Sequence, residues 1–247
     1  MMPAVNGGDF YLDFLRGDAD LSTGELEELA TQFAKVVDCS NVAAAGTSTR
    51  WDAAGELLID GKAATFVMGD WAKGYFQRGA DWEEVERDPW VPGTDFDVVP
   101  GLGSAGYFTF NSIVFGLPEG AVHPKAASAF LEVVGSKDGQ TNANSLKGSV
   151  PARSDVDGTS FDTIIQGAID DFKEAAAGEN KLLPGYASLT SYDFQVEINP
   201  SLLVFAVGGK RARELDPDNI PEDEADIAAK DVQYLVNKIK ANYDLLK

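Results

Sequence analysis

An α/β fold is predicted by two observations. Segments whose apolar residues recur at helical spacing alternate with short, wholly apolar runs, and loops rich in Gly, Pro and Asp separate them. The length of 247 residues allows one large domain or two small ones, with a sizeable core. Glu25 to Val37 reads as a helix with Leu26, Leu29, Phe33, Val36 and Val37 on its apolar face. Trp51, Ala54, Leu57 and Leu58 recur at helical spacing, and Gly61 supplies a C-terminal stop. Strands are expected at Ala63 to Met68, where the run is apolar enough to be buried, at Phe96 to Val99 and at Phe108 to Leu117. Helices then dominate: Pro124 to Val134, a short piece from Gln140 to Ser145, Phe161 to Ala176, Ser201 to Val207, and Asp223 to Tyr243. In the last, Ile227, Val232, Leu235, Val236 and Ile239 form a stripe that would dock it on the body. Asp88 to Asp95 and Leu215 to Pro221 read as loops, and no solenoid-type repeat is visible.

Charge narrows the partners. Lys and Arg total 20 against 40 Asp and Glu, a formal net charge of -20. A field of that sign argues against nucleic acid and anionic lipid. The acids are scattered, as in Asp9, Asp13, Asp18 and Asp20, and do not form one tail. We read them as adaptation to high salt, since at roughly 1 M salt the Debye length shrinks to about 3 Å and self-repulsion is screened. Ordinary acidity is the alternative. No run of about 18 apolar residues encodes a membrane span, and Met1 to Gly8 shows neither the basic nor the apolar part of a signal peptide.

Several chemistries are disfavoured. Cys39 is the only cysteine, so no intrachain disulfide can form, and near the end of an apolar helix it is expected to be a buried small hydrophobe. His123, the only histidine, precedes Pro124 at the start of a helix, which argues against a His-based triad or a His/Cys zinc site. Gly101-Leu102-Gly103-Ser104-Ala105-Gly106 matches G-x-G-x-x-G, but a strand-like run follows where a dinucleotide site needs a helix. Asp155-Val156-Asp157-Gly158 begins like a calcium loop, yet Ser160 stands where Gly is needed and Gln166 where a bidentate Glu is needed. No metal and no cofactor are expected.

The informative segments are two. In Gly61-Lys62-Ala63-Ala64-Thr65-Phe66-Val67-Met68-Gly69-Asp70-Trp71-Ala72, a polar and an aromatic residue arrive together where an apolar run ends, a place where function collects in layered α/β folds. A core Trp beside a helix-capping Asp would give the same local pattern. The second is Lys147-Gly148-Ser149-Val150-Pro151-Ala152-Arg153, closing with Asp155-Val156-Asp157. Together they resemble the "GKAAM-x-x-MGDWA" and "KGS-(I/V)-PAR-x-DVD" stretches of extracytoplasmic sugar-binding proteins that serve ABC importers. Phe110-Asn111-Ser112 through Leu117-Pro118 and the helix from His123 to Ser136 fall between them in the family's order, so the similarity covers roughly residues 9 to 210.

That resemblance implies a periplasmic-binding-protein-like fold of type II, mainly the helix-rich C-terminal lobe (about 9–100 and 141–247) with a returning segment of the N-terminal lobe (about 101–140). It implies a chain lacking most of the N-terminal lobe together with its signal or lipid anchor, the only route to membrane proximity. The implied function is non-catalytic binding of a mono- or oligosaccharide outside the cytoplasm, for delivery to ABC importer membrane subunits. By the same resemblance Asp70, Trp71 and Lys147 lie near the cleft, with Arg153 a less certain contact or scaffold cation that could equally cap a neighbouring helix. The chemistry is apt: a carboxylate accepts from hydroxyls, an ammonium donates, and an indole covers the apolar face of a sugar ring. Asn111 stands where many relatives carry Asp, and Pro184-Gly185 where many carry His-Gly, so the ligand is expected to differ from glucose-like sugars. A non-binding structural or sensory remnant of the same fold is the competing reading, and a glycoside-processing enzyme a weaker one, because no carboxylate pair is identified at a site.

Overall fold

The computed structural model describes residues 1–41, 51–78, 88–179, 181–214 and 222–246, with side chains described outside 207–214 and 222–231. In chain order the elements are α1 (Met2–Arg16), α2 (Glu25–Asp38), α3 (Trp51–Ile59), α4 (Ala72–Arg78), β1 (Phe108–Phe110), α5 (Pro124–Gly135), α6 (Lys137–Lys147), α7 (Thr163–Ala177), β2 (Leu182–Pro184), α8 (Tyr186–Leu189), α9 (Tyr192–Glu214) and α10 (Glu222–Asn242). They divide into two units. The first comprises Met1–Phe66, Gly101–Asn111 and Asn180–Lys247, and the second Val67–Pro100 and Ser112–Glu179.

The first unit is built on α1, α2, α9 and α10. Tyr11, Phe14 and Leu15 of α1 share one face and join Leu26, Ala30, Phe194, Ile198, Phe205, Leu235, Val236 and Ile239 in a single core. Helix α1 escapes the sequence pattern because Gly7, at φ 86°, interrupts it. Helix α9 is far longer than Ser201 to Val207, running through Pro200. That proline cannot donate to the Val196 carbonyl, a defect of about 3 kcal/mol. Burial of Phe194, Ile198 and Phe205 on either side outweighs it, at roughly 1.5–3 kcal/mol for each side chain. Strands β1 and β2 pair in parallel, Phe108 opposite Leu182 and Phe110 opposite Pro184. Tyr11 donates its hydroxyl to the Pro184 carbonyl at 2.7 Å, and burial pushes its pKa up to about 12.

The second unit has a smaller core, in which Phe161, Ile165 and Ile169 pack with Val150 and Val156. Asp162 caps α7 by accepting from the Ile164 and Ile165 amides. Phe76 of α4 stacks on Trp90 at 5.4 Å and meets Phe96 at 5.5 Å.

The expected strands are largely corrected. Ala63 to Met68 forms no strand, and Val67 is 62% exposed where burial was expected. Phe96 to Val99 is a loop with one isolated bridge, Pro92 to Phe96. Phe108 to Leu117 is a strand only as far as Phe110; Ile113, Val114, Phe115 and Leu117 are exposed. An apolar run becomes a strand only where a partner strand receives its hydrogen bonds. Helix α5 forms as expected yet buries no residue. Cys39 is exposed, contrary to expectation, because it lies two residues beyond the buried Val37 and so on the opposite side of α2. The loop at 215–221 and the Ile227 side chain lie outside the described residues.

Candidate functional site

In the second unit the two informative segments meet where α4 begins and α6 ends. Asp70 occupies the turn before α4, its carbonyl accepting the Lys73 amide at 3.1 Å. Its carboxylate bonds the loop after α6 and not the amides of its own helix: Oδ1 accepts from the Ser149 hydroxyl and Oδ2 from the Val150 amide, each at 3.2 Å. An ionised carboxylate has about four acceptor positions, so capacity remains for a ligand hydroxyl.

Two glycines permit this approach. A Cβ on Gly74 would stand 2.6 Å from the Leu146 carbonyl oxygen, and one on Gly148 would stand 3.1 Å from the Gly74 nitrogen. Gly148 also ends α6 at φ 90°, donating its amide to the Asn144 carbonyl at 2.7 Å. Beneath the junction, Lys73 is buried with its side chain 1% exposed and pairs with Asp162 at 2.7 Å. Sequence reasoning missed Lys73, Gly74 and Asp162. The signal available was a lysine inside the otherwise small and aromatic run Ala72-Lys73-Gly74-Tyr75-Phe76.

Trp71 is 37% exposed beside this junction. Lys147, the last residue of α6, is half-buried, and among the described residues its ammonium has no ion-pair partner. Arg153 bonds both a carboxylate and a helix end. Its Nε and Nη2 bond the two oxygens of Asp155 at 2.7 and 2.8 Å, and its Nη1 donates to the Gly135 carbonyl at the end of α5. This pairing holds the Asp155 carboxyl below its ordinary pKa and the guanidinium above its own. Asp157 accepts from the Thr159 hydroxyl and amide, and those bonds lower its pKa. Among the described residues no group of three or more His, Cys, Asp or Glu is placed to hold a metal ion.

Asn111 belongs to the first unit. It follows β1 directly, its Oδ1 accepts from the Ser188 hydroxyl at 2.7 Å, and its amide lies over Gly185 at the end of β2. The carboxyl ends of parallel strands are where α/β folds place ligands.

No family model matches the chain. Curated relatives do. An uncharacterized ABC transporter extracellular-binding protein of Pyrococcus horikoshii is 34% identical over 187 residues, 76% of this chain and 39% of its own. A probable sugar-binding periplasmic protein of Mesorhizobium japonicum is 34% identical over 178 residues, 71% of this chain and 40% of its own. Over about three quarters of its length the chain is similar to proteins named as an ABC transporter extracellular-binding protein and a probable sugar-binding periplasmic protein. A xylose/arabinose-binding protein of Haloferax volcanii is 27% identical over 189 residues, 76% of this chain and 38% of its own. The chain therefore spans about two fifths of the length of these relatives. All three are named as binding proteins, and among the described residues no helix is long and apolar enough to cross a membrane.

Proposed function

We propose that this chain carries part of the recognition surface of a sugar receptor that works outside the cytoplasm and delivers its ligand to the membrane subunits of an ABC importer, without chemistry of its own. The homology to named sugar-binding proteins carries the reading, and the junction of α4 and α6 supports it. There an anchored carboxylate with spare acceptor capacity, a half-buried lysine and an exposed indole lie on the two segments that resemble the family. In this reading Asp70 accepts from sugar hydroxyls, Lys147 donates to them and Trp71 covers a ring face. Arg153 is a scaffold cation. The lobe assignment, with 101–140 as a returning segment and the rest C-terminal-lobe-like, belongs to the same proposal.

The test is titration of the 247-residue chain with D-xylose, L-arabinose and D-glucose, followed by NMR chemical shifts. Trp71 is open to solvent, and a hydrogen bond formed there largely replaces one to water. We therefore expect roughly millimolar affinity, about 4 kcal/mol. Lys147→Ala should weaken it by up to about 1.5–3 kcal/mol for a hydrogen bond to a charged group, and Trp71→Ala through loss of the apolar cover on a ring face. No shift with any of the three sugars would favour the remnant reading, and sugar binding untouched by both substitutions would move the site elsewhere.

A further inference from the structure

The Trp71 indole rests on Gly69. A Cβ built on residue 69 would overlap the six-membered ring, its three nearest atoms being Cζ3, Cη2 and Cε3 of Trp71. Gly69 is absent from the glycines at positive φ, unlike Gly61 and Gly148, so its backbone does not itself demand glycine. What the missing side chain provides is room for the ring. An exposed indole without a support would sample several rotamers and lose that freedom on binding. Here one face is supported by bare backbone. On the intervening residue, the Asp70 carboxylate is held from both oxygens by Ser149 and Val150. Two neighbouring candidate contacts are thus each fixed by a separate support before any ligand arrives.

We propose that Gly69 is a positioning residue for sugar recognition, its bare backbone seating the Trp71 indole so that the opposite ring face is presented to the apolar C–H face of a sugar. This rests on the reading of Trp71 as a sugar platform. The geometry separates Gly69 from Gly74, where a side chain would strike helix backbone and disturb packing. At residue 69 an added methyl group meets only an indole that can swing away, so Gly69→Ala should fold and lose the pose alone.

The experiment uses the whole chain. Without ligand, the Gly69 Hα resonances should be displaced upfield by the ring current of Trp71, and Trp71→Leu should abolish that displacement. With D-xylose and D-glucose as probes, Gly69→Ala should weaken binding by a factor similar to Trp71→Leu, about tenfold for 1.4 kcal/mol. The double variant should bind no more weakly than Trp71→Leu alone, because the seat has no function without the ring. Ordinary Gly69 Hα shifts would overturn the proposal, as would full affinity in Gly69→Ala while Trp71→Leu is weakened. Full affinity in Trp71→Leu would overturn the platform reading and this proposal with it. Absence of binding by the unaltered chain would overturn both, and the ring-current result would then show only how the free chain is built.

Discussion

Asp162→Asn should destabilise the second unit far more than Lys73→Met, although the two residues form one ion pair. The asymmetry follows from burial: the Lys73 side chain is 1% exposed and that of Asp162 is 32% exposed. Asn is as good an N-cap as Asp, so the Ile164 and Ile165 amides keep a partner in Asp162→Asn. What is lost is the counter-charge in contact with a buried ammonium, the only one among the described residues, and breaking such a pair costs about 3–5 kcal/mol. In Lys73→Met the thioether fills most of the volume of the stem, and Asp162 stays hydrated while still capping α7. A volume-conserving change of that kind costs under about 1.5 kcal/mol. The double variant should lie near Lys73→Met alone, a coupling of about 2 kcal/mol or more. Urea titrations read by hydrogen exchange of the α7 amides are the suitable assay, because a chain of two units need not melt in one step. Equal costs for the two single variants, or a larger cost for Lys73→Met, would refute the assignment of the penalty to the buried ammonium.

Glycines in the same unit should respond in opposite directions. Gly74→Ala meets carbonyl oxygens at the end of α6 and should lower stability by about 1–3 kcal/mol. Gly167→Ala, inside α7 with open space at its Cβ, should raise it by about 0.5–1 kcal/mol in thermal or urea unfolding. The Tyr11 pKa is raised by burial to about 12, so above pH 10 the unfolded chain releases this proton first. Its contribution is intact below pH 10 and is lost as pH climbs toward about 12. Tyr11→Phe should flatten that decline, at a cost of about 1 kcal/mol for the bond to Pro184; an equally steep alkaline loss in the variant would assign it to another group. If the net charge of -20 is an adaptation to salt, the melting temperature should climb from dilute buffer to molar potassium chloride. A flat profile would leave ordinary acidity as the better account.

Helices with a buried stripe were legible because the stripe records a local face: α2 and α10 appear where the spacing of Leu26 and Val37, or of Leu235, Val236 and Ile239, places them. Strands were not. A run such as Phe66-Val67-Met68 states that it is apolar, but whether it is paired depends on a partner that its own sequence does not encode. The expected helix began only at Ser201, whereas long-range burial sustains one that runs through Pro200. At the site, the motifs placed Asp70 beside the segment that begins at Lys147. They did not reveal that Ser149 and Val150 would engage its carboxylate, because spacing records residue type and not orientation. Arg153 illustrates the same limit. The resemblance offered it as a contact or a scaffold cation, and nothing in that pattern revealed its pairing with Asp155, two positions away.

The first unit draws its core from both extremes of the described chain, and this dictates when it can form. Tyr11 bonds a carbonyl 173 positions downstream, and the Ala19 amide bonds the Tyr243 hydroxyl 224 positions away. As the chain leaves the ribosome, α1 and α2 must wait with their apolar faces uncovered until α9 and α10 have been made. The second unit, closed by Glu179, can assemble in the meantime. Synthesis at about 5–20 residues per second leaves those faces open for roughly ten seconds or more. Such distant closures fold slowly, and during that interval the nascent helices are clients for chaperones and targets for proteases. A ribosome stalled before α10 should therefore carry a protease-resistant second unit beside a first unit that is still digestible.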